Sequence, residues 1–185
     1  MKGERFFIVC MIMAVGFAAC RPSSQPNYRP MPSEYTTVYE ERYGQCYDYI
    51  PAKVVALDLY SSGLSLNDEH RIEGTGHNLY LSDIFVPGDS LVPGTYRTAD
   101  TGEPFTFLPG KDFEGKPHGI YLLKIEESKL QSIQVMDSGY MIVKDTTNGM
   151  LDLQFKFYYK GAYTSKATYQ THFQGVLDKK IWVNR

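Results

Sequence analysis

Tryptophan, cysteine and histidine are scarce, and positive charge is not in excess. The 185 residues hold one Trp, three Cys and four His, and 19 Lys and Arg stand against 21 Asp and Glu, a net charge of −2. Three cysteines make no disulfide scaffold and fall short of a four-cysteine zinc site. The charge balance excludes a nucleic-acid binder, which needs a basic face to displace counterions from phosphates. It also excludes a polybasic membrane-surface protein. His70, His77, His118 and His172 lie 7, 41 and 54 residues apart. None forms the close pair from which metal sites draw ligands, so no metal and no cofactor is expected. No Gly-x-Ser-x-Gly nucleophile elbow is present. Gly74-Thr75-Gly76 lacks the third glycine of a dinucleotide loop and precedes a strand-like run. Glu40-Glu41 and Glu126-Glu127 are adjacent pairs, and neighbours on a strand point to opposite faces. A hydrolase would need distant carboxylates to converge within about 10 Å. These absences together predict a protein that is not an enzyme.

The longest apolar run, Phe6–Ala19, has fourteen residues. A helix spanning a bilayer needs about 20. Lys2 and Arg5 precede the run, which makes residues 1–19 a signal peptide rather than an anchor. Its end, Phe17-Ala18-Ala19-Cys20, resembles the lipobox of bacterial lipoproteins. The resemblance implies cleavage before Cys20 and lipid on its sulfur and new amine. Phe17 stands where leucine is commoner. More than one acyl chain gives a stable anchor, at about 0.8 kcal/mol per buried CH2.

Behind Cys20, Arg21–Ser33 carries four Pro and three Ser in thirteen residues, the composition of an extended tether. Residues 20–50 are therefore read as lipidated Cys, spacer and a Tyr-rich entry segment. Within it, Thr37 and Glu40 have capping-box spacing, yet the tyrosines favour extended structure over Glu34–Tyr49. From Pro51 onward the chain alternates like a series of strands. Val55, Leu57 and Leu59 alternate in one run, and Leu151, Leu153, Phe155 and Phe157 in another. Further runs fall at Asn78–Val86, Gly94–Thr98, Phe105–Leu108, Gly119–Glu126, Leu130–Val135, Tyr140–Lys144, Thr168–Leu177 and Lys180–Val183. Turn formers separate them, and Asn148-Gly149 is the strongest hairpin signal. Residues 51–185 are thus predicted to be one all-β domain. About nine strands would form a single antiparallel β-sandwich or a partly closed barrel.

Tyrosine is abundant, at 15 residues. Tyr158, Tyr159, Tyr163 and Tyr169 flank a late loop and are the candidate ligand or partner surface. Strand propensity favours core or sheet-face packing for most tyrosines. Cys46 is the thiol left once Cys20 is lipidated, and Gln45, Tyr47 and Asp48 give it no electropositive setting. It is read as a structural or free thiol.

The motifs GTGHNLYLSDIF, LVPGTY, FTFLPG, GIYLLKIE, IQVMDSGYMIV and FQGVL resemble those of a group of small β-rich lipoproteins of Bacteroidetes-type bacteria. The resemblance implies a lipid-anchored outer-membrane protein and offers no catalytic residues. It also implies O-glycosylation at Asp-Ser/Thr sites, of which Asp89-Ser90-Leu91 and Asp145-Thr146-Thr147 are candidates, at Ser90 and Thr146. Arg21-Pro22-Ser23-Ser24-Gln25 lacks the acidic run of a surface-export signal, so both the periplasmic face and the cell surface remain open. The expected function is a non-enzymatic binding or assembly module. Its partners would be the membrane, through Cys20, and an envelope protein or a glycan. The alternative is a glycan-binding accessory protein of a nutrient-uptake system.

Overall fold

A computed structural model describes residues 34–146, 149–160 and 166–181. Residues 1–19, read above as a signal peptide, Cys20, the segment Arg21–Ser33 read as a tether, Asn148 and Tyr163 lie outside the described residues. Among those described there are fifteen strands and no α-helix. The first half of the chain supplies β1 (Thr37–Gly44), β2 (Lys53–Tyr60), β3 (Leu64–Leu66), β4 (Ile72–Gly74), β5 (Gly76–Val86), β6 (Gly94–Thr98) and β7 (Thr106–Phe107). The second half supplies β8 (Lys111–Phe113), β9 (Lys116–His118), β10 (Ile120–Glu126), β11 (Lys129–Val135), β12 (Ser138–Asp145), β13 (Leu151–Lys160), β14 (Lys166–Gly175) and β15 (Asp178–Ile181).

Eleven strands form one curled sheet, a half-barrel, in the order β14-β13-β12-β6-β7-β5-β2-β1-β15, with β10 on β5 and β11 on β10. The pairs β3–β4 and β8–β9 are separate hairpins. The sheet is mixed rather than purely antiparallel: β1 runs parallel to β15, and β6 to β7. The β strands begin inside the segment read as spacer and entry, because β1 pairs with β2 along its whole length. Just before β1, the Tyr35 N–H donates to His172 O on β14 at 2.8 Å. That bond draws the two ends of the sheet order toward each other.

Alternation decides which way each strand faces. On β13, Leu153, Phe155, Phe157 and Tyr159 enter the main core, while the residues between them face away. Their antiparallel partners, among them Met141, Val143, Tyr169 and Phe173, join the same core. From the other side it receives Val55, Leu57, Leu59, Leu79, Leu81, Ile120 and Leu122. Glu40 is buried on this side of β1, where its carboxylate accepts from Arg42 Nε at 3.0 Å and Leu91 N–H at 3.2 Å. A buried acid is tolerable when it is paired and hydrogen-bonded in this way.

The sheet divides at β5. Residues 76–81 pair with β10, whereas Ile84 and Phe85 pair with β7. At the division the Ser82 N–H donates to Gly119 O at 3.0 Å, and Ser82 Oγ accepts from Gly119 N–H at 2.9 Å. Gly119 sits at φ +71°, and a Cβ there would meet the Pro109 carbonyl oxygen. Gly119→Ala is expected to cost about 1–3 kcal/mol through left-handed strain and that clash. A lowered thermal midpoint of the protein checks this. An unchanged midpoint would mean that the branch tolerates a side chain.

Candidate functional site

The side of β12, β13 and β14 that faces away from the core carries two rows of residues, all polar but Ile142. Cross-strand register aligns Ile142, Gln154 and His172 in one row, and Tyr140, Lys156 and Gln170 in the next. These six side chains line an open depression of about 600 Å³. That volume suits a small ligand. On β6 beside it, Arg97 is paired with Tyr140, and its guanidinium carbon lies 5.8 Å from the Tyr140 ring centre. Lys156 Nζ lies 5.7 Å from the ring centre of Tyr158. Such cation–ring contacts hold long side chains in place at a surface.

Asp152 anchors the lower edge of this face. Its Oδ2 accepts from Gln154 Nε2 at 3.0 Å. Its Oδ1 lies 2.9 Å from His172 Nε2. That second contact has the distance of an ion pair without hydrogen-bond alignment, which leaves a buried Oδ1 short of a donor. A bridge pairs Glu34 with His172 at the rim.

A second polar patch lies on the outward side of β1, β2, β5 and β10. Glu41 and Asp58 are only 7% and 9% exposed, and the β1–β2 register sets them diagonally on one side of the sheet. Tyrosine hydroxyls serve both. Tyr43 donates to Glu41 at 2.6 Å, with Tyr80 at 3.4 Å from the same oxygen. Tyr60 donates to Asp58, which also accepts from Asn78 Nδ2 at 2.5 Å. Nearby, Tyr47 donates to Asp83 at 2.8 Å, and Ser82 donates to the other Asp83 oxygen. Burial pushes the Tyr43 hydroxyl up to about 12, helped by its bond to Glu41. Burial likewise raises Tyr47, Tyr60 and Tyr80 well above the usual tyrosine value. These hydroxyls stay protonated donors to the carboxylates.

The tyrosines named from sequence do not gather on one surface. Tyr158 faces outward beside Lys156, and its neighbour Tyr159 is 6% exposed inside the core. Tyr169 is 3% exposed and its hydroxyl meets that of Tyr35 at 2.6 Å. Burial removes Tyr159 and Tyr169 from any ligand surface. His172 is half-buried beside Asp152. Ser90 is half-buried next to Leu91, whose N–H is tied to Glu40. Thr146 has its hydroxyl bonded to Met150 O at 3.0 Å. Cys46 is an exposed free thiol, and partial burial and the Asp83 charge push its pKa up. That shift lowers its thiolate fraction and argues against a reactive cysteine.

Among the described residues, no three of His, Cys, Asp and Glu gather closely enough to hold a metal ion. No family model matches the chain, and neither a curated protein nor a solved structure is similar to it.

Proposed function

We propose that the chain is an outer-membrane lipoprotein held by lipid on Cys20, and that its β domain is a non-enzymatic binding module. The single observation behind the binding role is the depression on β12–β14. It sets two amides, a histidine, a lysine and a tyrosine side by side on rigid strands. Sites on strands hold their geometry better than sites on loops. Cys20→Ser is expected to move the protein from the membrane to the soluble fraction and to abolish incorporation of labelled palmitate. Retention in the membrane with the label kept would overturn the anchor.

A second reading, the glycan-binding accessory protein, is favoured by what lines that depression. Gln154 and Gln170 present planar amides from adjacent strands, and Tyr140 presents a ring. Amides donate to and accept from neighbouring sugar hydroxyls, and tyrosine adds rigid contact area with a polar handle. Calorimetric titration of the mature protein with soluble oligosaccharides tests it. Measurable heats that vanish in Gln154→Ala/Gln170→Ala support the reading. Heats that the double variant keeps would put the ligand elsewhere.

A further inference from the structure

We propose that the β12–β14 depression binds an acidic saccharide, with Lys156 and Arg97 facing its carboxylates and Gln154 and Gln170 taking its ring hydroxyls. The proposal rests on the saccharide reading above and adds the charge of the ligand. Two observations carry it beyond shape.

The first is the local charge. The whole chain has a net charge of −2. Around the depression, Arg97, Lys144 and Lys156 stand on three adjacent strands against Asp152, with Glu34 at the rim. The face is thus more positive than the protein that bears it. Clefts lined by one sign of charge raise the local concentration of opposite ligands.

The second is how those cations are held. Arg42, Lys53, Arg71 and Lys124 each pair with a carboxylate. Among the described residues Arg97, Lys144 and Lys156 form no ion pair. Arg97 and Lys156 lie instead over the rings of Tyr140 and Tyr158. A ring contact orients a cation without neutralising it, so the charge stays available to an anion. Among the described residues the one carboxylate inside the face is Asp152, whose Oδ2 accepts from Gln154 and whose Oδ1 lies 2.9 Å from His172 Nε2 without a hydrogen bond. The Gln154 amide nitrogen is fixed on Asp152, which presents its oxygen as acceptor for a sugar hydroxyl.

The test compares an acid with its own ester. Mature protein is titrated with oligogalacturonate, oligomannuronate and oligoglucuronate, and with the methyl ester of each. The expected result is that one of the three acids binds about tenfold tighter than its ester, a gap that narrows at high salt. Lys156→Gln should weaken that acid far more than its ester and so close the gap between them, with an unchanged melting curve to show that the fold is intact. Equal affinity for acid and ester, or a gap that survives Lys156→Gln/Arg97→Gln, overturns the proposal and leaves the saccharide reading standing. Absence of binding by all six probes overturns both.

Discussion

Phe157→Ala is expected to destabilise the β domain by about 3–5 kcal/mol, the range for losing a fully buried ring. Phe157 is wholly buried at the middle of β13. Its ring packs edge-on against Phe107, with centroids 6.1 Å apart, and lies 5.7 Å from Phe155. Backbone surrounds it as well. Gly139 is its cross-strand partner, and a Cβ there would come within 2.6 Å of the Phe157 ring. A strand held by hydrogen bonds on both edges cannot move in to fill the space, so the cavity persists. Denaturant unfolding of the protein checks this, through a lowered midpoint at constant slope. Phe113→Ala is the control. That ring is mostly exposed on the β8–β9 hairpin, and its loss should cost no more than about 0.5 kcal/mol. A loss below about 1 kcal/mol for Phe157→Ala would mean that the core repacks freely. The outward face of β12–β14 would feel the change too, since Lys156 and Tyr158 flank Phe157 on the same strand.

Local alternation made the fold class legible. Leu151 to Phe157 reads as a strand because every second residue is apolar, and β13 buries Leu153, Phe155 and Phe157 while facing Gln154 and Lys156 outward. Gly94–Thr98 was readable because a Pro-Gly turn precedes it, and β6 covers those five residues. Pairing was less legible than strand identity. Alternation says which residues share a face, but not which strand lies alongside or in which direction. The parallel contacts of β1 with β15 and of β6 with β7 therefore left no trace in the pattern. Strands of three residues, such as β3 and β8, offer too few positions for alternation to stand out from the surrounding turns, and β8 is exposed throughout. The site was harder still. Tyrosine suits a core and a wet surface equally, because one end is apolar and the other polar. Tyr158 and Tyr159 look alike in sequence and lie on opposite sides of one strand. The buried acids did carry a signal in Glu41-x-Tyr43 and Asp58-x-Tyr60, a spacing that puts each acid beside its donor on one face. What the sequence could not supply was the register that sets those two pairs diagonally across β1 and β2.

Alkali is expected to unfold this domain steeply, and the tyrosines are the reason. Tyr35 and Tyr169 are both 3% exposed and share a 2.6 Å contact between hydroxyls. Burial raises Tyr35 well above its ordinary value, with Tyr169 adding to the effect. Burial likewise pushes Tyr169 up to about 12. In the unfolded chain both groups titrate near about 10. Below that pH both states keep the proton, and the stabilising difference is fully present. Above it the unfolded state releases protons that the folded state still holds, so stability falls as pH rises. The slope is about 1.4 kcal/mol per pH unit for each such tyrosine until its folded value is passed. Tyr60 and Tyr80 are shifted upward as well and steepen the loss. Small domains have only about 5–15 kcal/mol in hand, so a few groups acting together are enough to unfold one within about two pH units. Tyrosinate absorbance and far-ultraviolet dichroism, followed together from about pH 9 to pH 12, give the measurement. The buried tyrosines should ionise in one cooperative step that coincides with unfolding. Tyr35→Phe/Tyr169→Phe should make the loss of stability with pH shallower. Gradual ionisation of every tyrosine near about 10 with the β signal intact would mean that water reaches the hydroxyl pair.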